Sequence, residues 1–295
     1  MTPKANLFIV GAPKCGTTAW YSYLQDHPDI FFPDIKEPHF FASDLPKMQW
    51  TTSLEQYESL FDRAGSAKAR GEASVMYLYS DRAAEDIARY NPDAKILVFL
   101  RDQVEFLSSL HNHYVFTFSE NVEDFETAWR MSGNRPAESI PEQTDPKLLD
   151  YRAIGRFSEQ LGRYVERFPA SQIRVIRFDD WTADPRRTYV EILQFLGLPD
   201  DGRTQFEQIN EARSYKVKWV GKLIRHPPRI LQLAMRVVRK LSGRNVLGLA
   251  ERASKLVATR GNQSTVSPGL RDEISGYFEE DNRRLDELLR KVAAT

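Results

Sequence analysis

The sequence predicts an α/β protein whose mostly parallel central sheet is flanked by helices. Two apolar runs, at 7–10 and at 94–100, have the unbroken hydrophobicity of parallel strands that are covered on both faces. Helical patterns alternate with such runs along the chain. This alternation favours parallel strands that are joined by crossover helices.

Size and composition narrow the class of protein. The 295 residues suffice for a large core, and we expect a single domain over 1–295. Basic and acidic residues balance at 41 each, so the charge gives no sign of a nucleic-acid partner. One cysteine excludes an internal disulfide and a multi-cysteine metal site. No apolar run reaches the roughly 18 residues that span a bilayer, and no signal peptide precedes the first strand, so we expect a cytoplasmic protein.

The first predicted strand leads through a lysine-bearing turn into a helix. Gly11 ends the strand, Lys14 lies in the turn, and Gly16 precedes a helix expected over 17–26. Backbone N–H groups and the positive end of the helix dipole meet there, which is a geometry that binds phosphate. The Walker A motif G-x-x-x-x-G-K-[ST] has its lysine directly after the second glycine, where this chain has Thr17. The displaced lysine disfavours ATP or GTP hydrolysis and favours a shorter anionic ester.

This stretch, Pro13-Lys14-Cys15-Gly16-Thr17-Thr18, resembles a loop of the sulfotransferases that use 3′-phosphoadenosine 5′-phosphosulfate (PAPS). The resemblance implies the P-loop-like sulfotransferase fold. It also implies that the loop N–H groups, those of Cys15 and Gly16 included, hold the 5′-phosphate together with Thr17 and Thr18. Lys14 would neutralise the bridging oxygen as it leaves.

A second motif lies in an extended, aromatic-rich segment at 30–41. Lys36-Glu37-Pro38-His39-Phe40-Phe41 resembles the K-E-x-H-F-F segment of carbohydrate sulfotransferases of the heparan-sulfate type. The resemblance implies that Glu37 takes the acceptor proton, with His39 as the alternative base. The family usually has a lysine after its next glutamate, whereas Ala73 follows Glu72 here. The heparan-sulfate acceptor therefore does not carry over, and sugar, lipid and small-molecule hydroxyls stay open, with an amine less favoured.

The strand at 94–100 carries the second phosphate site at its end. The family has R-D-P there and a serine eight residues after the arginine, which correspond to Arg101 and Ser109. The resemblance implies that both hold the 3′-phosphate of PAPS, because arginine forms a bidentate, charge-assisted pair with phosphate. Ser108 is an alternative donor that faces differently. The plain alternative for Arg101 is an ion pair with Glu105.

The C-terminal part of the chain is basic. Arg260-Gly261-Asn262 occupies the position at which the family closes a basic loop over the 3′-phosphate. Between 216 and 260 the chain has twelve Lys or Arg and one acid, Glu251. A helix expected at 229–241 separates an apolar face from a basic face. We expect the segment 216–258 to be a lid at the acceptor side, a contact with an anionic membrane surface, or a helix packed on the core.

Helical patterns fill much of the remaining chain. One long amphipathic helix is expected over 148–168, and a single last helix is expected from Ser267-Pro268 onward. The shorter predicted elements are helices at 50–61, 81–90, 104–116, 121–131 and 184–197 and strands at 70–75 and 172–178.

These motifs occur in the order of the family and predict a PAPS-dependent sulfotransferase. Such an enzyme moves a sulfuryl group by in-line displacement and releases 3′-phosphoadenosine 5′-phosphate (PAP). No metal is expected, because Lys14 and backbone dipoles would take the place of Mg²⁺. Two other functions stay open at this point: an ATP-dependent small-molecule kinase with a degenerate loop, and a non-catalytic nucleotide-binding or membrane-surface protein.

Overall fold

The computed structural model describes residues 4–207 and 266–293, and the backbone of 213–215 and 258–260. The strands in these ranges are β1 (Leu7–Gly11), β2 (Ile30–Phe31), β3 (Ala69–Glu72), β4 (Lys95–Leu100), β5 (Ile173–Arg177), β6 (Arg213–Tyr215) and β7 (Ala258–Arg260). Strands β1 to β5 form one parallel sheet in the order β2-β3-β1-β4-β5. Strands β6 and β7 form a separate antiparallel pair.

Helices connect these strands and cover the sheet. In the described ranges they are α1 (Thr17–Gln25), α2 (Leu54–Ser59), α3 (Ala83–Tyr90), α4 (Gln103–Phe116), α5 (Phe125–Arg130), α6 (Tyr151–Ile154), α7 (Phe157–Val165), α8 (Phe178–Ala183), α9 (Pro185–Leu196), α10 (Pro268–Tyr277) and α11 (Glu279–Ala293). None of these helices is long and apolar enough to cross a membrane.

The centre of the sheet is the core of the protein. All five residues of β1 are buried, and so are the last five of β4, as their unbroken apolar sequences predict. The prediction of an α/β fold with a mostly parallel sheet is thus confirmed. Strand β3, which was predicted at 70–75, begins and ends earlier, at Ala69–Glu72.

The strand order places a crevice between β1 and β4. The connection that leaves β1 runs toward β2 at one edge of the sheet, whereas the connection that leaves β4 runs to β5 at the other edge. Helices that diverge in this way leave a gap at the carboxyl ends of the two strands, and ligands of open α/β sheets bind there. Lys14 follows β1 and Arg101 follows β4, so both residues border this crevice.

The prediction of one long helix over 148–168 is wrong. That stretch forms a 3₁₀ turn at Pro146–Leu149, then α6, then α7. Asp150 caps α6 by accepting a hydrogen bond from the Ala153 N–H at 3.1 Å. Gly155 ends α6 under the ring of Phe278, which lies 2.3 Å from the position that a Cβ would occupy. The break is set by this contact with a distant part of the chain.

The last predicted helix is also divided. Ser267 caps α10 through Leu270 N–H, with Pro268 at its first position as predicted. The buried Phe278 then separates α10 from α11. The helix predicted at 184–197 is confirmed, with Asp184 as its cap. The basic segment 216–257, with its expected helix at 229–241, lies outside the described residues.

Two glycines near this break should respond oppositely to alanine. In Gly155→Ala the new methyl group overlaps Phe278, and we expect the free energy of unfolding to fall by about 1–3 kcal/mol. In Gly162→Ala, inside α7, the nearest atom is Leu288 Cδ1 at 4.0 Å. This variant should gain about 0.5–1 kcal/mol from helix propensity. Urea unfolding measures both, and a stabilised Gly155→Ala would contradict the assigned contact.

Candidate active site

The loop after β1 turns tightly around two glycines. Gly11 has a φ of 148° and Gly16 a φ of 87°, which lie in the left-handed region that favours glycine. Lys14, between them, has a φ of 62°, a conformation that costs a non-glycine residue about 1–3 kcal/mol. The Ala12 N–H donates to the carbonyl oxygen of Phe99 in β4 at 2.7 Å. The loop is therefore fastened to the strand that ends at Arg101.

A tryptophan closes the loop from the side of α8. A Cβ on Gly16 would lie 2.2 Å from a ring carbon of Trp181. The indole Nε1 of Trp181 is buried and has no hydrogen-bond partner in the described part of the chain. The sequence interpretation did not assign Trp181 to the site. Its position follows from the strand before it: β5 is parallel to β4, so the two strands end side by side and the residues after them lie near the loop.

Among the described residues, the Lys14 side chain is a cation without a partner. Its ammonium makes no hydrogen bond or ion pair with the chain as far as the structure describes it. Burial lowers the pKa of Lys14; Cys15 and Glu37 oppose this change, and Arg101 and Lys36 add to it. Glu37, Arg101 and Lys36 thus lie close enough to Lys14 for their charges to act on it. An anion that enters the loop would meet an unpaired positive charge.

The segment after β2 brings Glu37 toward the same loop. Lys36 Nζ forms an ion pair with the Glu37 carboxylate and donates to Thr18 Oγ1 at 3.4 Å. Burial alone would raise the pKa of Glu37, but Lys36 and His39 outweigh burial, so the pKa lies below its ordinary value. Glu37 is therefore ionised at neutral pH. Sequence reasoning named Lys36 only as part of a motif and missed that it links the base to α1.

The two candidate bases differ in access. Although protein atoms surround the Glu37 side chain, 33 % of its surface stays open, whereas His39 is 2 % exposed. His39 Nδ1–H donates to the Glu37 carbonyl oxygen at 2.9 Å, and its Nε2 has no partner. Burial lowers the pKa of His39, so the ring is neutral. This geometry favours Glu37 as the group that meets an acceptor.

Arg101 lies at the other side of the loop. Its guanidinium stacks on Phe178 with 4.4 Å to the ring centre, and it approaches Glu105 at 3.6 Å. The plain alternative, an ion pair with Glu105, is therefore present. Ser109 follows Glu105 by one helical turn and faces the same side of α4, whereas Ser108 is buried. Ser109 thus lies on the side of α4 that carries Glu105, the partner of Arg101.

The remaining predicted phosphate ligands lie in the loop after β1 and near the C-terminal strand β7. Burial raises the pKa of the Cys15 thiol to about 12, so Cys15 can contribute only its backbone. Thr17 is buried, and Thr18 receives Lys36. Arg260 ends β7, which pairs with β6, and β6 contacts α4. Gly261 and Asn262 lie outside the described residues.

The described residues contain no candidate metal site. Among them, no group of three or more His, Cys, Asp or Glu side chains could hold a metal ion. The expectation that transfer needs no metal stays a prediction.

Comparison with known proteins gives the family. Residues 4–223 match the family model of the sulfotransferase domain, and the chain belongs to this family. Human carbohydrate sulfotransferase 15 is 25 % identical over 247 residues, covering 65 % of this chain and 44 % of the relative. Mouse heparan sulfate glucosamine 3-O-sulfotransferase 3B1 is 28 % identical over 192 residues, covering 64 % of this chain and 45 % of the relative. The chain spans less than half the length of these relatives.

A solved structure supports the same assignment. The crystal structure of a sulfotransferase from Alicyclobacillus acidocaldarius is 28 % identical, with a TM-score of 0.70. The similarity covers 98 % of this chain and 96 % of that chain. The predicted P-loop-like sulfotransferase fold and the predicted family are therefore confirmed.

Alanine substitutions can separate two contributions to the free energy of unfolding: the packing of Trp181 on Gly16 and the strain of a left-handed backbone. Gly133 has a φ of 78° and no atom within 4 Å of an added Cβ. Gly133→Ala should therefore lose only the left-handed penalty, about 1 kcal/mol in the free energy of unfolding. Gly16→Ala should lose about 2–4 kcal/mol, because Trp181 must also move. Equal losses in urea unfolding would contradict the packing of Trp181 on the loop.

Proposed function

We propose that this protein transfers the sulfuryl group of PAPS to a hydroxyl group of a carbohydrate-type acceptor. The observation that carries the proposal is the meeting of three charges at one loop: unpaired Lys14, Arg101, and the ionised carboxylate of Glu37. The names of the relatives, carbohydrate and heparan sulfate sulfotransferases, support the acceptor class. An amine acceptor is the less favoured alternative.

The residues present fit a nucleotide that carries anionic groups at two positions. One anionic group fits the loop, where α1 begins after Gly16 and the Lys14 ammonium lacks a partner. The buried and unpaired Nε1 of Trp181 is a further donor beside this loop. The second group fits Arg101, at the end of β4, together with Ser109 of α4. A nucleoside triphosphate would leave this second site unused.

When bound, PAPS supplies an activated sulfuryl group on a phosphate that can leave. Lys14 stabilises the negative charge that develops on the leaving side, and its burial strengthens this interaction because the local dielectric is low. A Glu37 carboxylate oxygen takes the proton of the acceptor hydroxyl. Lys36 orients that carboxylate and keeps it ionised. Arg101 and Ser109 hold the nucleotide in line with the acceptor.

Other parts of the proposal rest on sequence alone. They are the single domain over 1–295, the cytoplasmic location, the absence of a nucleic-acid partner, and a lid or membrane contact through 216–258. Limited proteolysis, cell fractionation, a gel-shift assay with nucleic acid, and vesicle sedimentation test them in turn.

Removing Lys14 should remove most of the transfer activity. In Lys14→Ala we expect kcat to fall at least about 100-fold, the loss typical of one preorganised electrostatic contact. The assay follows radiolabelled sulfate from PAPS to a panel of carbohydrate and small-molecule hydroxyl acceptors. Lys68→Ala, at an exposed lysine paired with Asp29, is the matched control and should keep full activity. Wild-type turnover in a folded Lys14→Ala enzyme would refute the proposal.

Arg101 should recognise the 3′-phosphate alone. In Arg101→Ala we expect the affinity for PAP to fall about 10- to 100-fold, as for a hydrogen-bonded charged pair. The affinity for AMP, which lacks that phosphate, should not change. Calorimetric titration without metal measures both, with Arg89→Ala, at an exposed arginine paired with Glu85, as the control. Equal losses for PAP and AMP, or tight ATP binding that requires Mg²⁺, would favour a kinase instead.

A further inference from the structure

A tryptophan with an exposed side chain lies beside the turn that carries Glu37. The Trp50 N–H donates to the Pro38 carbonyl oxygen at 2.9 Å, and the Gln49 side-chain amide donates to the Phe40 carbonyl oxygen at 2.9 Å. The backbone that bears Trp50 therefore runs along this turn. By the standard lengths of the bonds that join them, the Cα atoms of Trp50 and Glu37 lie within about 11 Å of each other.

The fold fixes the backbone on both sides of Trp50 and leaves the indole outside the core. Before it, the Lys47 N–H donates to Asp145 Oδ2 at 3.0 Å. After it, Thr51 is 9 % exposed, and its hydroxyl donates to Gln56 Oε1 at 3.0 Å. Trp50 itself, in contrast, is 56 % exposed. The ring is therefore presented to solvent from a backbone of defined position.

Few large apolar side chains of the described residues are exposed in this way. They are Trp50, Leu54 and Tyr277, and the ring of Tyr277 packs on Trp129 with 5.4 Å between the ring centres. A single exposed apolar side chain is ordinary and needs no function. Trp50 differs because its backbone is bonded to the turn of a carboxylate, Glu37, whose side chain is also open to solvent.

An exposed indole suits the apolar face of a sugar ring. The face of its π system is negative, and the C–H groups on one face of a pyranose carry a small positive charge. Stacking also removes apolar surface of both rings from water. The N–H at the edge of the indole can donate to a sugar hydroxyl in addition. A tryptophan at this place can therefore hold a sugar without any charged contact.

We propose that Trp50 is a binding residue for the acceptor. Its indole stacks on the sugar ring next to the one whose hydroxyl meets Glu37, so the acceptor is a carbohydrate of at least two rings. This role rests on the proposed function, because it takes Glu37 as the group that receives the acceptor proton. The stacked ring lies away from the reacting atoms and is held equally before and during transfer. Trp50 therefore contributes to acceptor affinity and not to the rate of the bound complex.

NMR tests the stacking in the wild-type protein without turnover. The ¹⁵N-labelled protein, with and without PAP, is titrated with neutral gluco- and galacto-oligosaccharides, namely mono-, di- and tetrasaccharides. The indole N–H signal of Trp50, which is assigned by its absence in Trp50→Phe, should shift with the di- and tetrasaccharides. The Trp129 signal is the internal control and should not move, because that indole is buried and donates to Glu273 at 2.9 Å. A Trp50 signal that none of these sugars shifts would overturn the proposal.

Kinetics with the oligosaccharide of this panel that accepts sulfate fastest separate stacking from a general apolar contact. Trp50→Ala should raise the KM for that oligosaccharide about tenfold, while kcat and the KM for PAPS stay unchanged. Trp50→Tyr keeps a ring and should recover most of the loss, whereas Trp50→Leu should not. Leu54→Ala is the matched control, since it removes the other exposed apolar side chain of this segment, and it should behave as wild type. Equal effects of Trp50→Ala and Leu54→Ala would overturn the stacking.

These measurements distinguish a failure of this role from a failure of the proposed function. Transfer to an oligosaccharide with a wild-type KM in Trp50→Ala would contradict only the role of Trp50. A wild-type protein that does not bind PAP would contradict the proposed function, whereas the titration with sugars can be read without the nucleotide. A wild-type protein that transfers sulfate to other hydroxyl compounds but to no sugar of the panel would contradict both the carbohydrate-type acceptor and the role of Trp50.

Discussion

Two cations, the Lys14 ammonium and the Arg101 guanidinium, are held near each other at the carboxyl ends of β1 and β4, although their charges repel. Each follows one of two hydrogen-bonded parallel strands, so the pairing of β1 with β4 imposes the contact. The bond between Ala12 N–H and the Phe99 carbonyl keeps the loop from relaxing away. Burial and the Arg101 charge both lower the pKa of Lys14. An anion that bound between the two cations would relieve the repulsion, so under the proposed function this unfavourable proximity would add to the affinity for the nucleotide.

The acidic side of the site is joined to the loop through Lys36. One ammonium group reaches both the Glu37 carboxylate and Thr18 at the start of α1. The position of the Glu37 carboxylate therefore depends on the helix that begins at the loop after β1. Where the family has a lysine after its next glutamate, this chain has Ala73, which is 2 % exposed. The buried methyl group of Ala73 presents no charge at this position.

Local patterns were sufficient to predict the sheet and the loop. The apolar runs of β1 and β4, the glycines around Lys14 and the cap at Asp184 each act within a few residues, and the structure has all of them. The features that sequence reasoning missed are contacts between distant segments. Phe278 breaks the helix at Gly155, and Trp181 packs on Gly16. The periodicity of one segment contains no information about a ring that arrives from elsewhere in the chain.

The pairing of β6 with β7 has a consequence for the variation of this domain. Tyr215 lies opposite Ala258, so the chain between them leaves and returns at adjacent points. Closing such an excursion costs little more as it grows, about 0.6 kcal/mol for each doubling of its length. By this argument the length of the connection has little effect on the closure of the pair of strands. The pair is separate from the parallel sheet, so the loop after β1 and its strand pairing do not depend on that length.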